Sequence, residues 1–489
     1  MNVLNIEPKE VFKYFAQISN IPRGSNHEKE ISDYLVKFAK DRELYVIQDK
    51  YLNVIIEKKS SEGYEDSDTV ILQSHMDMVN EKNADYNHNF LKDPLKLYVD
   101  GDFLSAEGTT LGADNGIAVA MTLAILDGNY EHPKIQALFT TNEETGMSGA
   151  ENVDINLFKD SKYLINLDSD REGEFTVSCA GGIRHSVQVE LEYLNEKEIA
   201  MLNFSTFKIT VNGLVGGHSG IDIDKGFGNA IQLLTRILHN IMSKDLVYLS
   251  NISGGLKVNA IPREATAIVS VEPNFEKYFL QLVKEMTNNL KKEYRETEEN
   301  LNIEIEKIDT PVQVFSFHST MYVIHTLFMM PNGLYKKNKN GDIITSTNIG
   351  VVFNNQRDGL KDVIDIESLT RSSIKSEQDF LVEQIKCIAD MYSIDYINHG
   401  ENPVWEYNEN SKLREICVDV YKKVYGTEPK ISATHGGLEC GIFSKKMPHL
   451  DIISFGPNNY YLHTPDEKLS ISSTERVYKY LLEVLKNLK

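Results

Sequence analysis

Residues 114–126 run DNGIAVAMTLAIL. A helix over Asp114–Leu126 is apolar nearly all round, and such a helix is buried on every side. A chain that carries one must surround it with other elements. The neighbouring sequence supplies them. Lys29–Arg42 repeats apolar residues at helical spacing (Ile31, Tyr34, Leu35, Phe38), while Val54–Lys58, Thr69–Gln73, Lys134–Thr140 and Tyr163–Leu167 are short apolar runs that read as strands. This alternation predicts a compact α/β domain. Each strand runs into a polar cluster, and open α/β sheets bind their ligands outside the strand ends.

From about residue 185 the texture changes. Val187–Tyr193 and Thr206–Val211 alternate like half-exposed strands, Gly213–Gly220 is a Gly-rich loop, and Gly228–Met242 a helix. Strands at Val247–Ser250 and Ala265–Val271, a helix at Phe275–Lys292 and a strand at Asn302–Ile308 complete a β-α-β-β-α-β order. A second round is predicted from Val312–Phe317 (strand), Thr320–Met329 (helix), Thr345–Phe353 and Asp362–Ser368 (strands), Gln378–Tyr392 (helix) and Ile394–Ile397 (strand). After residue 400 the first texture returns, with helices at Leu413–Tyr425 and Ser473–Leu485 and an apolar strand at Asp451–Phe455. The expected organisation is therefore an α/β domain (1–184 and 401–489) split by an α+β insertion (185–400).

Several classes fall away on composition. The 489 residues carry 51 Lys and Arg against 72 Asp and Glu, a net charge of −21. That acidity argues against nucleic acid and anionic membrane surfaces as partners. No apolar stretch is long enough to span a bilayer, and the N-terminal segment lacks the basic and apolar regions of a secretory signal. Cys179, Cys387, Cys417 and Cys440 are scattered without metal or disulfide spacing, so a cytoplasmic location is expected.

Five polar clusters remain: Ser74-His75-Met76-Asp77, Gly112-Ala113-Asp114-Asn115-Gly116, Asn142-Glu143-Glu144-Thr145-Gly146, Asn166-Leu167-Asp168-Ser169-Asp170 and Leu462-His463-Thr464-Pro465-Asp466. Singly each has an ordinary reading: a strand end, a helix N-cap at Asp114, a solvated turn. Together they supply His, Asp and Glu, the ligands that suit zinc and similar divalent ions. Residues two apart on a strand share a face, so Asp77 can fix the tautomer of His75. Adjacent Glu143 and Glu144 point apart, so one can bind metal while the other handles protons. Counting His75, Asp114, Glu144, Asp168 and His463, and letting Asp114 bridge, each of two ions has one His, one unshared carboxylate and the shared Asp. A water held between the ions would have a strongly lowered pKa.

The strings HMDMV, GTTLGADNGIA, NEETGMSGA, NLDSD and LHTPDE, in this order, resemble the motif series of the M20 metallopeptidases, and within them the Xaa-His (aminoacyl-histidine) dipeptidases. The resemblance covers essentially the whole chain. It implies a zinc-peptidase-type catalytic domain with a lid inserted into it, and two divalent ions, most simply Zn2+, with Co2+ or Mn2+ as substitutes. His75 and Asp168 would hold one ion, Glu144 and His463 the other, and Asp114 both. Glu143 would be the general base and Asp77 the residue that orients His75. The implied reaction is hydrolysis of unblocked dipeptides. An aminopeptidase, a carboxypeptidase or an N-acyl amino-acid deacylase would share the ligands, and an inactive binding protein would share the scaffold.

Three further elements gain meaning from the resemblance. Gly216-Gly217-His218-Ser219-Gly220 reads alone as a Gly-rich turn. By likeness its His218 would donate to the substrate carbonyl. The run His435-Gly436-Gly437-Leu438-Glu439-Cys440-Gly441, in the returning segment, would line the substrate pocket. His435 would bind a substrate end and Glu439 the free amine, beside a purely structural reading of that loop. Arg371 follows the strand Asp362–Ser368 among small polar residues and would hold the substrate carboxylate. Its plain alternative is a surface pair with Glu377 or Glu367. A homodimer resembles the relatives, and a doubled lid would also allow a monomer.

Overall fold

The computed structural model describes residues 3, 6–356 and 361–489. The chain forms two compact units. The first comprises Met1–Cys179, Trp405–Ala433 and Leu438–Lys489, and the second Ala180–Val404 with Thr434–Gly437.

The first unit is built on an eight-stranded sheet in the order Tyr45–Gln48, Val54–Lys58, Ile135–Thr140, Thr69–His75, Ser161–Asn166, Asp451–Ser454, Glu174–Cys179, Lys430–Thr434. The four strands from Ile135–Thr140 to Asp451–Ser454 are parallel. They are the apolar runs of the sequence, and all six residues of Ile135–Thr140 are buried, as expected of strands covered on both faces. Alternate side chains enter different cores. Val54, Ile56, Val70 and Leu72 pack with the helices Lys9–Ile18 and Ala113–Asp127, whereas Ile55, Ile71, Leu138 and Leu164 pack with Phe158, Phe443 and Trp405. The helix Ala113–Asp127 is buried from Asn115 to Leu126. Because the central strands are parallel, their C-terminal ends lie along one edge, with His75 opposite Thr140 and Gln73 opposite Asn166. A separate four-stranded sheet includes Asn459–Tyr460 and Lys468–Ser470, and their connection carries His463.

The second unit is an antiparallel sheet in the order Asn302–Ile308, Ser205–Asn212, Ala265–Val271, Val247–Gly254, Ile343–Asn355, Val363–Ser372, Gly181–Glu190, Asp395–Asn402. Its two halves repeat one β-α-β-β-α-β unit in mirrored strand order, joined at the single pair Gly254–Val352. The helices Ala230–Met242 and Glu276–Glu293 belong to one half, and Phe317–Met329 and Lys375–Met391 to the other.

One strand assignment is corrected. Val312–Phe317 is not the opening strand of the second half. Phe315 makes one bridge, to Tyr193, and Val312 is 85% exposed. Gly181–Glu190 fills that slot, pairing along its whole length with Val363–Ser372 on one side and with Asp395–Asn402 on the other. A ten-residue strand paired on both edges satisfies more backbone groups than a short exposed run can. The strand Val363–Ser372 is also longer than expected and contains Arg371 rather than ending before it.

Candidate metal centre

The parallel strands deliver the predicted side chains to one place in the first unit. His75 ends its strand, 1% exposed, with Nε2 3.2 Å from Asp114 Oδ1 and 3.5 Å from Asp168 Oδ1. His463 Nε2 lies 3.2 Å from Asp114 Oδ2 and 3.0 Å from Glu144 Oε2. Asp114 therefore offers one oxygen to each of two groups, His75 with Asp168 and His463 with Glu144. Ligand atoms of His75, Asp114 and Glu144 all fall within 4.8 Å of one another. Asp77 Oδ1 is 3.3 Å from His75 Nδ1, which turns Nε2 towards the other carboxylates.

The donor set fits divalent cations on electrostatic grounds as well. Hydrogen bonds to Asp114 and Glu144 push His463 up to about 10. Burial alone would lower His75, but Asp168, Asp114 and Asp77 outweigh it and raise it well above the usual histidine range. The carboxylates around both histidines thus favour positive charge in the site. Glu144 Oε1 is buried with no hydrogen-bond partner, a cost that a cation would remove.

The two adjacent glutamates diverge. Glu144 faces His463, whereas the carboxylate of Glu143 makes no hydrogen bond or ion pair among the described residues. Burial, reinforced by Asp168, Glu439 and Glu144 and opposed by His75, raises Glu143 well above the usual carboxylate range. Asp77 holds this turn too: its oxygens accept the N–H groups of Glu143 (3.1 Å) and Glu144 (3.3 Å) and the hydroxyl of Ser25. One buried carboxylate thus orients both a predicted ligand and the predicted base.

Two residues that the sequence reading passed over set the turn that presents Asp114. Glu467 is 2% exposed and accepts the backbone N–H groups of Leu111, Gly112, Ala113 and Asp114 at 2.8–3.3 Å. Arg23, also 2% exposed, donates to the carbonyls of Gly112 (2.5 Å), Met76 and Asp77 (both 3.2 Å). Gly112 has φ 66°, and a Cβ there would stand 2.4 Å from Arg23 Nη2, so only glycine serves. Glu467 lies in the LHTPDE string and was visible in that sense. Arg23 carries no local signal at all.

A family model described as peptidase family M20/M25/M40 matches residues 71–487. The chain belongs to the M20 peptidase family. It is 36% identical over 486 residues to the cytosol non-specific dipeptidase of Escherichia coli K12, covering 99% of this chain and 98% of that one. The crystal structure of aminoacylhistidine dipeptidase from Vibrio alginolyticus superposes with a TM-score of 0.90 at 33% identity, over 99% of this chain and 98% of that one. A tripeptidase from Staphylococcus aureus shares the fold, with a TM-score of 0.58 at 16% identity over 99% of both chains. The α/β fold expected from the sequence is the M20 peptidase fold. Among the described residues no helix is long and apolar enough to cross a membrane.

In this M20 peptidase the remaining candidates divide between the units. Glu439 belongs to the first and is fully buried. Its Oε2 accepts Gln73 Nε2 (2.6 Å) and Thr140 Oγ1 (2.8 Å) inside the strand layer, which is the structural role weighed beside the amine contact, while Oε1 is buried without a partner. Burial pushes Glu439 up to about 8. Gln73 in turn accepts from Asn166, whose Oδ1 accepts the N–H of Asp168, so Glu439 ends a buried chain that leads to the predicted ligand Asp168. His435, expected in the returning segment of the catalytic domain, belongs to the second unit. Its Nε2 is 2.7 Å from Ser346 Oγ, and burial, with Arg371 and His218 nearby, pulls it down to about 3. Arg371 lies opposite Ser346 in the sheet. Neither predicted surface partner takes it: Glu367 pairs with Arg184 at 2.9 Å, and Glu377 with Lys336 and Thr345. Arg371 Nε is buried without a partner. His218, Arg371 and His435 thus form a cationic and neutral donor group with no carboxylate paired to its guanidinium among the described residues.

Proposed function

We propose that this M20 peptidase hydrolyses the peptide bond of unblocked dipeptides, Xaa-His among them, in the cytosol. The observation that carries the proposal is the convergence of His75, Asp114, Glu144, Asp168 and His463 into two ligand groups sharing Asp114, with Glu143 unengaged beside them. Two divalent ions, zinc by the donor set, would supply Lewis-acid activation of a water and of the scissile carbonyl there. Glu143 accepts the proton of the attacking water and returns it to the leaving amine. Asp77 holds the His75 tautomer and, through backbone N–H groups, the Glu143-Glu144 turn. In the second unit His218 donates a hydrogen bond to the carbonyl under attack, and Arg371 binds the free carboxylate of the substrate. The dipeptide preference is supported by the two relatives that match nearly the whole chain, a non-specific dipeptidase and an aminoacylhistidine dipeptidase.

Activity restored to chelated protein is expected to saturate at two ions per chain, measured by elemental analysis alongside turnover. Full activity at one ion would overturn the paired site. A panel of dipeptides, tripeptides, amidated peptides and N-acyl amino acids then reads specificity. Preference for free dipeptides is expected, and preference for N-acyl amino acids would instead make the chain a deacylase. His218→Ala is expected to lower kcat about 10²–10³-fold with a smaller change in KM, the scale for one donor to a developing oxyanion. Normal turnover would return His218 to a turn residue.

A further inference from the structure

His218 is held by more than its place in a Gly-rich loop. The pair Gly217–His218 forms a short antiparallel ladder with Ala260–Ile261, and Ser219 N–H donates to Asn259 O at 2.9 Å. Asn348 Nδ2, donating to the carbonyls of Val258 and Ala260, anchors the opposing strand. Asp222 closes the turn from the other end. Its Oδ2 accepts the N–H of His218 at 2.7 Å, and its own N–H donates to His218 O at 2.9 Å. Lys225 Nζ stands 2.6 Å from the other carboxylate oxygen.

The turn closed in this way folds two backbone donors onto the ring. The N–H groups of Gly220 and Ile221 both point at His218 Nδ1, each at 3.2 Å. A neutral imidazole has one donor and one acceptor nitrogen, whereas an imidazolium has two donors. Two N–H groups aimed at Nδ1 require it to be the acceptor, which puts the single proton on Nε2. The flanking glycines belong to the same device. At Gly217 (φ 144°) a Cβ would lie 2.9 Å from Asp222 Cβ and Oδ2, and at Gly220 one would lie 3.0 Å from His218 Cε1 and 3.1 Å from Nδ1. Burial and the charge of Arg371 also favour the neutral ring and outweigh the Asp222 carboxylate, whose charge pulls the other way.

We propose that Asp222 is a positioning residue for His218. By closing the turn it directs the Gly220 and Ile221 N–H groups onto Nδ1 and keeps His218 a neutral donor with its proton on Nε2. The proposal rests on the reading of His218 as the donor to the scissile carbonyl. A neutral Nε2–H donates without attracting the substrate carboxylate, which is left to Arg371.

The test is tautomer spectroscopy on the full-length, metal-loaded enzyme labelled with 15N-histidine, with His218 assigned by its loss in His218→Gln. At neutral pH the Nδ1 signal is expected in the unprotonated range and Nε2 in the protonated range. A proton on Nδ1, or a doubly protonated ring, overturns the proposal. Asp222→Ala is expected to shift His218 towards a tautomer mixture and to lower kcat on the order of 10- to 100-fold, the scale of a small misplacement, with KM changed far less. Asp222→Asn keeps an acceptor oxygen for the His218 N–H and is expected to restore both readouts in large part. An unchanged His218 spectrum in Asp222→Ala overturns the role of Asp222. Should that variant fail to fold, Gly220→Ala is expected to displace the ring and give the same spectral shift, and an unshifted spectrum there overturns the proposal too. Normal turnover in His218→Ala with the wild-type tautomer intact would separate failure of the donor reading from failure of the lock.

Discussion

Glu143→Ala is expected to lower kcat by on the order of 10³ or more while both metal positions stay filled. A positioned general base is worth ~10²–10⁴ in rate, and among the described residues the Glu143 carboxylate has no hydrogen bond or ion pair of its own. Its neighbour is engaged, with Glu144 Oε2 3.0 Å from His463 Nε2. Glu144→Ala is therefore expected to lose metal, and activity as a consequence that added metal partly restores. The two variants are compared by turnover and by bound metal per chain. If Glu143→Ala lost the metal and Glu144→Ala kept it, the two roles would be exchanged. Asp77 accepts the N–H groups of both residues, so substitutions that spare Asp77 leave the turn in place and make the comparison clean.

Arg371→Ala is expected to lower kcat/KM for free dipeptides on the order of 10²-fold or more and to leave their C-terminal amides almost unaffected. Removing one partner of a desolvated charge pair costs about 2–5 kcal/mol, and about 1.4 kcal/mol is tenfold. The structure supplies the cation without a carboxylate partner among the described residues: the two carboxylates named for it are occupied by Arg184 and Lys336, and Arg371 Nε is buried and unbonded. A guanidinium binds a carboxylate through two parallel hydrogen bonds, which an amide cannot reproduce. Steady-state kinetics on matched acid and amide pairs measure the difference. Equal losses on both would mean that the carboxylate is read elsewhere. Arg263, whose Nε donates to Leu214 O, and His435 are the groups to examine then.

The residues proposed to hold metal stood out because their signal is local. A strand buried on both faces is a short apolar run, and the run stops where polar chemistry begins. His75, Glu143-Glu144 and Asp168 each stand at such a stop, on strands that the structure makes parallel neighbours or places beside them. The apolar helix likewise announced its own burial, but not the non-helical backbone of Asp114 and Asn115 at its start. The inserted unit was legible as a repeated order of elements for the same reason, since each helix and strand is written in its own periodicity.

What the local pattern cannot carry is partnership across the chain. The second half of the inserted sheet opens with Gly181–Glu190, far upstream of its helices, because that strand pairs on both edges and Val312–Phe317 does not. Nothing in either segment taken alone states which will win. The role of Glu467 depends on four N–H groups more than 350 residues earlier in the chain, and that of Arg23 on three carbonyls from two other segments. Glu439 sits in a string that suggested either a substrate contact or a structural role, and folding sets it against Gln73 and Thr140. The sequence by itself determined which residue types could hold a metal and on which elements they stand. The tertiary structure alone decided which carboxylate faces an imidazole, which caps a backbone turn and which is sealed inside, because the work of a charged group is set by the donors within about 3 Å of it and those donors come from anywhere in the chain.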